Sequence, residues 1–182
     1  MTMPQPITPQ PGQESVWDYP RPPRVEASSQ RVVVVCEGIT IADSCLTQRV
    51  LETSHPPVYY FPRQDVRTEY LDISTRHSYC EWKGEAGYYH FSLGDRRRDN
   101  VAWFYPTPNP SFSAIKDYIA FYPSKMDACY VHDELVTAQP GDFYGGWITT
   151  KIVGPFKGGI GTWGWRLASR CRGWLQRRAI FR

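Results

Sequence analysis

No apolar run in this 182-residue sequence approaches the roughly 20 residues that cross a bilayer as a helix, so no transmembrane segment is expected. Neither a Cys-x-x-Cys nor a His-x-x-x-His spacing occurs, which removes the usual signals of structural zinc. His77, His90 and His132 are too scattered to suggest another metal, and no cofactor is expected. The five cysteines (Cys36, Cys45, Cys80, Cys129 and Cys171) are odd in number. Met1 to Pro23 has neither the basic start nor the apolar stretch of a secretory leader. Free thiols in a reducing cytoplasm are therefore the expectation. Charge of one sign is scarce too: 21 basic side chains face 18 acidic ones. The basic surplus sits in a tail where Arg166, Arg170, Arg172, Arg177, Arg178 and Arg182 have no acidic residue among them. The rest of the chain is slightly acidic and offers no general polyanion-binding surface. Only the tail suits a weak contact with an anionic surface or another protein.

Aromatic side chains, by contrast, are plentiful at 15% of the residues, enough to fill a core, line a pocket, or do both. Residues 1–15 carry four prolines and few large apolar groups, and read as a disordered N-terminus. Residues 16–30, led by Val16-Trp17-Asp18-Tyr19 before a proline run, read as an arm docked on the domain. Residues 31–138 alternate β-branched and aromatic stretches with turn signals. Arg31–Cys36 and Ile39–Ala42 flank Glu37-Gly38, and Ala128–Val131 and Glu134–Val136 flank His132-Asp133. Strands are also predicted at Arg49–Glu52, Val58–Phe61, Val66–Ile73, Ser78–Lys83, Tyr88–Leu93, Val101–Tyr105 and Tyr118–Tyr122. Turns are predicted at Gly84–Gly87 and Arg96–Asp99, and one short helix at Phe112–Asp117 behind a Ser111 cap. The segment 139–165 holds eight Gly and two Pro, which forbids long regular structure, while its aromatics suggest packing on the domain surface. Residues 166–182 form the basic tail, in which Trp165, Leu167, Trp174 and Leu175 allow an amphipathic helix that Gly173 weakens. The pattern as a whole points to a mainly β domain built of antiparallel sheets.

The segments Glu52-Thr53-Ser54-His55-Pro56-Pro57-Val58-Tyr59-Tyr60-Phe61-Pro62 and Tyr79-Cys80-Glu81-Trp82-Lys83-Gly84 resemble a known family. So do Ala102-Trp103-Phe104-Tyr105-Pro106 and Ile119-Ala120-Phe121-Tyr122. The family is the domain of unknown function DUF427, sometimes labelled a nucleotidyltransferase, and the resemblance runs from about Arg31 to Val136. Gln139 to Trp147 looks like an extension found in some members. The resemblance implies a β-tent-like fold, with two antiparallel sheets packed at a steep angle around a cleft. Relatives of that fold bind small ligands in aromatic cages, reduce oxidised methionine, or carry zinc. This chain lacks the zinc cysteines, so zinc functions do not carry over. The nucleotidyltransferase label fails on the residues, because such enzymes need closely spaced carboxylates to hold two metal ions. No Asp-x-Asp or Asp-x-Glu pair is present.

Three constellations carry chemistry. In Cys80-Glu81-Trp82-Lys83, a cation near Cys80 would favour its thiolate and make it a nucleophile. On a regular strand, however, Cys80 and Lys83 face opposite ways, so a bend near Gly84 is required. The plainer alternative makes Cys80 a small buried hydrophobe. Glu52 and His55 form a carboxylate–imidazole pair suited to acid/base work, or else serve a turn before two prolines. The aromatic set Tyr60, Trp82, Tyr88, Trp103, Tyr105 and Tyr122 suits a cage or a stacking surface, with core packing as the alternative. Gly154-Pro155-Phe156-Lys157-Gly158-Gly159-Ile160-Gly161 only superficially suggests a phosphate loop, since it lacks the Gly-Lys-Ser/Thr ending. The expectation is a domain that binds an unidentified small molecule. Tyr60, Trp82, Lys83, Trp103, Tyr105 and Tyr122 would line its pocket, with Lys83 pairing an anionic group. One alternative is an enzyme using Cys80 with Glu52 or His55. The other is an interaction module acting through the Gly-rich loop and the Arg tail.

Overall fold

The computed structural model describes residues 4–141 and 143–162. The basic tail expected at 166–182, Cys171 and the end of the 139–165 extension lie outside the described residues. In chain order the strands are β1 (Glu14–Ser15), β2 (Arg24–Ser28), β3 (Val32–Cys36), β4 (Ile39–Ser44), β5 (Thr47–Leu51), β6 (Val58–Phe61), β7 (Leu71–Cys80) and β8 (Gly84–Leu93). They continue with β9 (Arg96–Phe104), β10 (Ile119–Phe121), β11 (Ala128–Val131), β12 (Glu134–Leu135), β13 (Thr137–Ala138), β14 (Trp147–Ile148) and β15 (Ile152–Val153). An open seven-stranded antiparallel sheet runs β2-β5-β6-β10-β9-β8-β7, and a four-stranded one runs β12-β11-β3-β4. The protein is mainly β, with no closed barrel. Among the described residues no helix is long and apolar enough to cross a membrane.

Local chemistry explains most of these boundaries. The β3–β4 turn has positive φ at both Glu37 and Gly38, and the β11–β12 turn has it at His132 and Asp133, the geometry that matches the twist of a tight hairpin. Other turns fall where the sequence reading does not put them. Gly84–Gly87 is not a turn but the start of β8, and the chain reverses at Glu81–Lys83. Gly84 takes φ +98 there, while a side chain on Gly87 would meet the Phe104 ring at 2.8 Å. Arg96–Asp99 opens β9, and the reversal falls at Gly94, whose φ is +56. The arginines are not turn residues but partners, since Arg96 and Arg98 both bind the Glu37 carboxylate. A 3-10 turn at Thr68–Tyr70 replaces the first part of the strand expected at Val66–Ile73, and another, Arg63–Asp65, precedes it. The short helix expected at Phe112–Asp117 is a 3-10 stretch, Pro110–Ile115, whose N-cap residue is Asn109 and which Phe112 interrupts with non-helical angles.

The two larger sheets pack through one apolar cluster. Val32, Val34, Cys36, Ile41, Cys129 and Val131 meet Tyr59, Phe61, Phe91, Val101, Ile119 and Phe121 across it. Trp147 completes the cluster from the extension and is fully buried. Its backbone N–H donates to Pro57 O at 2.9 Å and its indole N–H to Phe121 O at 3.3 Å. The N-terminal residues lie against the extension: β1 pairs in parallel with β15, and Trp17 Nε1 donates to Pro155 O at 3.0 Å. Arg49 of β5 ties Glu14 and Glu26 together on that side.

Replacing Trp147 with alanine is expected to cost about 3–5 kcal/mol, the usual range for a large buried aromatic. Urea denaturation checks this, and a loss below about 1 kcal/mol would show that the extension is not part of the core.

Candidate functional site

Along each central strand of the large sheet, side chains alternate between two faces. Tyr59 and Phe61, Tyr89 and Phe91, and Ile119 and Phe121 point into the cluster between the sheets. Tyr60, Tyr88, Trp103, Tyr105, Ala120 and Tyr122 belong to a separate cluster on the opposite face. Strand register sets a row there: Tyr60 lies opposite Ala120, Ala120 opposite Trp103, and Trp103 opposite Tyr88. The small Ala120 leaves room between its large neighbours, and Trp103 Nε1 donates to Tyr60 Oη across it at 3.1 Å. Trp103 also packs on Tyr122, with ring centroids 4.4 Å apart. These rings form the floor of a cavity of about 360 Å³, within the range of small-molecule sites. Burial raises the pKa of Tyr60, Tyr105 and Tyr122 above the usual phenol value, so their hydroxyls are neutral at physiological pH.

The β7–β8 hairpin supplies the charge. Cys80 and Gly84 are partners across the ladder, and the turn Glu81–Lys83 brings Lys83 back beside Cys80. The sequence reading puts such a bend at Gly84, whereas the reversal falls at Glu81–Lys83 and Gly84 already opens β8. Lys83 is half-buried. Burial opposes its charge, but Tyr60, Cys80 and Glu52 outweigh that effect, and its pKa rises above the ordinary lysine value. The ammonium sits 5.7 Å from the Tyr105 ring centroid. Among the described residues no carboxylate lies within ion-pair distance of it. Arg21, in contrast, is held by Glu52 at 3.2 Å and Glu81 at 3.6 Å. Arg76 stacks over Tyr88 at 4.6 Å, and the Tyr88 hydroxyl is 2.7 Å from Ser78 Oγ.

The remaining wall comes from the extension. Gly145 lies flat on Trp103; a side chain there would come within 2.3 Å of the indole. Gln139 accepts from Gly146 N–H at 3.1 Å and donates to Lys157 O at 2.6 Å, which clasps the loop to the later part of the extension. Tyr144 and the buried Lys157 line the cavity beside His55. His55 is itself buried, with Nδ1 3.0 Å from Thr53 O and its ring edge-on to Tyr144 at 4.7 Å. Among the described residues its Nε2 has no hydrogen-bond partner. Burial pushes the His55 pKa down to about 4, against the opposing pull of Glu52, so the imidazole is neutral at physiological pH.

All ten residues singled out in the sequence line this one cavity: Cys80, Glu52, His55, Tyr60, Trp82, Lys83, Tyr88, Trp103, Tyr105 and Tyr122. Sequence reasoning did not assign Arg21, Arg76, Ser78, Gln139, Phe143, Tyr144, Gly145 or Lys157 to the pocket, yet they line it too. Arg21 stands in a proline run and Lys157 among glycines, and neither setting signals a binding side chain. Only the aromatics of the extension hinted that it packs against something.

The family described as a domain of unknown function, DUF427, matches residues 24–132. The chain belongs to that family. No curated protein matches it.

The lowered His55 pKa has a measurable sign. Unfolded imidazole binds its proton near pH 6.5, while the folded one stays bare to about pH 4. The unfolded chain therefore holds more protons in that window, and His55 makes stability fall as the pH drops through it, by up to about 1.4 kcal/mol per pH unit. His55→Gln is expected to flatten that slope in urea titrations between pH 6.5 and 5. An NMR titration of His55 with a midpoint near its ordinary value would contradict the assignment.

Proposed function

We propose that this DUF427 domain binds a small organic anion with a flat apolar body. The observation that supports it best is Lys83, a half-buried ammonium with a thiol and an aromatic ring as neighbours and no described carboxylate within ion-pair distance. A cation so placed is stabilised by an incoming carboxylate or comparable anion. The rings of Trp103, Tyr105 and Tyr122 give the apolar body a stacking surface. The cavity volume of about 360 Å³ accommodates a fused two-ring acid.

Isothermal titration of 2-naphthoate against the isosteric 2-naphthamide tests this. The acid is expected to bind about tenfold more tightly than the amide, and Lys83→Met to erase that preference while leaving the melting temperature close to that of the parent. Equal binding of acid and amide to the unaltered protein would sink the proposal.

A second reading uses the same contact. The hairpin sets Lys83 beside Cys80, and the reaction that arrangement suits uses Cys80 as a nucleophile or redox thiol with Glu52 or His55 carrying protons. Peptide-resolved alkylation by iodoacetamide near pH 7 separates the two, because Cys45 is exposed and serves as the internal reference. A catalytic Cys80 reacts faster than Cys45; a thiol that only lines a binding site reacts more slowly and is protected by 2-naphthoate.

A further inference from the structure

The His55 side of the cavity holds a polar atom that anion binding at Lys83 does not use. His55 is 7% exposed and lines the cavity, and its Nε2, itself buried, has no hydrogen-bond partner among the described residues. Its tautomer is fixed by its neighbour. The Thr53 carbonyl only accepts, so the proton lies on Nδ1, 3.0 Å away, and Nε2 carries the lone pair. Two of its neighbours are engaged elsewhere. Gln139 commits its amide nitrogen to Lys157 O and its amide oxygen to Gly146 N–H. Arg21 is bound by Glu52 and Glu81. Burial, together with the positive charges of Lys157 and Arg21, keeps the imidazole unprotonated despite Glu52, so Nε2 remains an acceptor at neutral pH. A buried acceptor with no donor is unfavourable, and a ligand that brings a donor removes the deficit.

We propose that His55 Nε2 is a second recognition point of the cavity. It accepts a hydrogen bond from a hydroxyl or N–H group on the same ligand whose anionic group pairs with Lys83. The ligand class narrows accordingly, from any flat organic acid to an aromatic acid carrying a hydroxyl or amino group away from its acid group. This inference rests on the anion-binding reading, and it gives His55 a recognition role in place of acid/base work.

The test titrates 2-naphthoate, its 5-, 6- and 7-hydroxy derivatives and the matching methoxy compounds into the unaltered protein, His55→Phe and His55→Gln. At least one hydroxy isomer is expected to bind the unaltered protein about tenfold more tightly than 2-naphthoate, a gain its methoxy counterpart lacks. His55→Phe should lose the gain while still binding 2-naphthoate. His55→Gln, whose amide oxygen accepts, should keep part of it. The nitrogen-15 resonance of His55 Nε2 should move with the hydroxy isomer and stay still with 2-naphthoate. If 2-naphthoate binds but no hydroxy isomer gains, or if the gain survives in His55→Phe, the inference is wrong and anion binding stands. If 2-naphthoate itself does not bind, anion binding fails and the subsite falls with it. Should His55→Phe fail to fold, the resonance in the unaltered protein decides, and an Nε2 signal that no hydroxy isomer moves overturns the proposal.

Discussion

The two-residue repeat of a β-strand is the constraint from which the rest of this structure follows. In the middle of the large sheet, β6, β10 and the parts of β8 and β9 beside them (Tyr88–Tyr89 and Val101–Phe104) carry aromatic or apolar residues in succession, so both faces of the sheet are apolar there. One face is closed by the four-stranded sheet and Trp147 and becomes a solid interior. The other face has no second sheet over it. There the rings are roofed by the β7–β8 turn, the residues around His55 and the extension, which leave a hollow between them. The cavity is thus the face of the sheet that regular structure does not cover.

Register gives the hollow its chemistry. A larger residue at Ala120 would push Tyr60 and Trp103 apart and block the hydrogen bond between them. A longer reversal after Cys80 would carry Lys83 away from the thiol. The acids Glu52 and Glu81 are taken up by Arg21, which leaves Lys83 with no carboxylate within ion-pair distance among the described residues. At the other wall, the burial that strips His55 of its proton also leaves its Nε2 without a hydrogen-bond partner among the described residues. The hollow thus sets a charged donor and a neutral acceptor on separate walls, with rings between them.

Much of this was legible in the sequence because the signals are local. The hairpins at Glu37-Gly38 and His132-Asp133 follow from residues that tolerate positive φ, and Trp103 and Tyr105 share a face by parity alone. What failed depended on contacts distant in sequence. Gly84-Glu85-Ala86-Gly87 reads as a turn, yet Gly87 is needed inside β8 because the Phe104 ring occupies the space of its side chain. Arg96–Asp99 reads as a charged turn, but Arg96 and Arg98 answer Glu37, some sixty positions earlier. Arg21, Gln139 and Lys157 reach the cavity from segments whose composition suggests only linkers, and no periodicity marks them.

Arg21, Gln139, Phe143, Tyr144, Gly145 and Lys157 all fall outside residues 24–132, whereas Lys83, Cys80 and the ring floor fall inside. The hollow is thus assembled from two sources, its floor from the family domain and much of its roof from the stretches on either side. An exchange of those flanking stretches could reshape the roof without disturbing a single ladder of the large sheet's central strands.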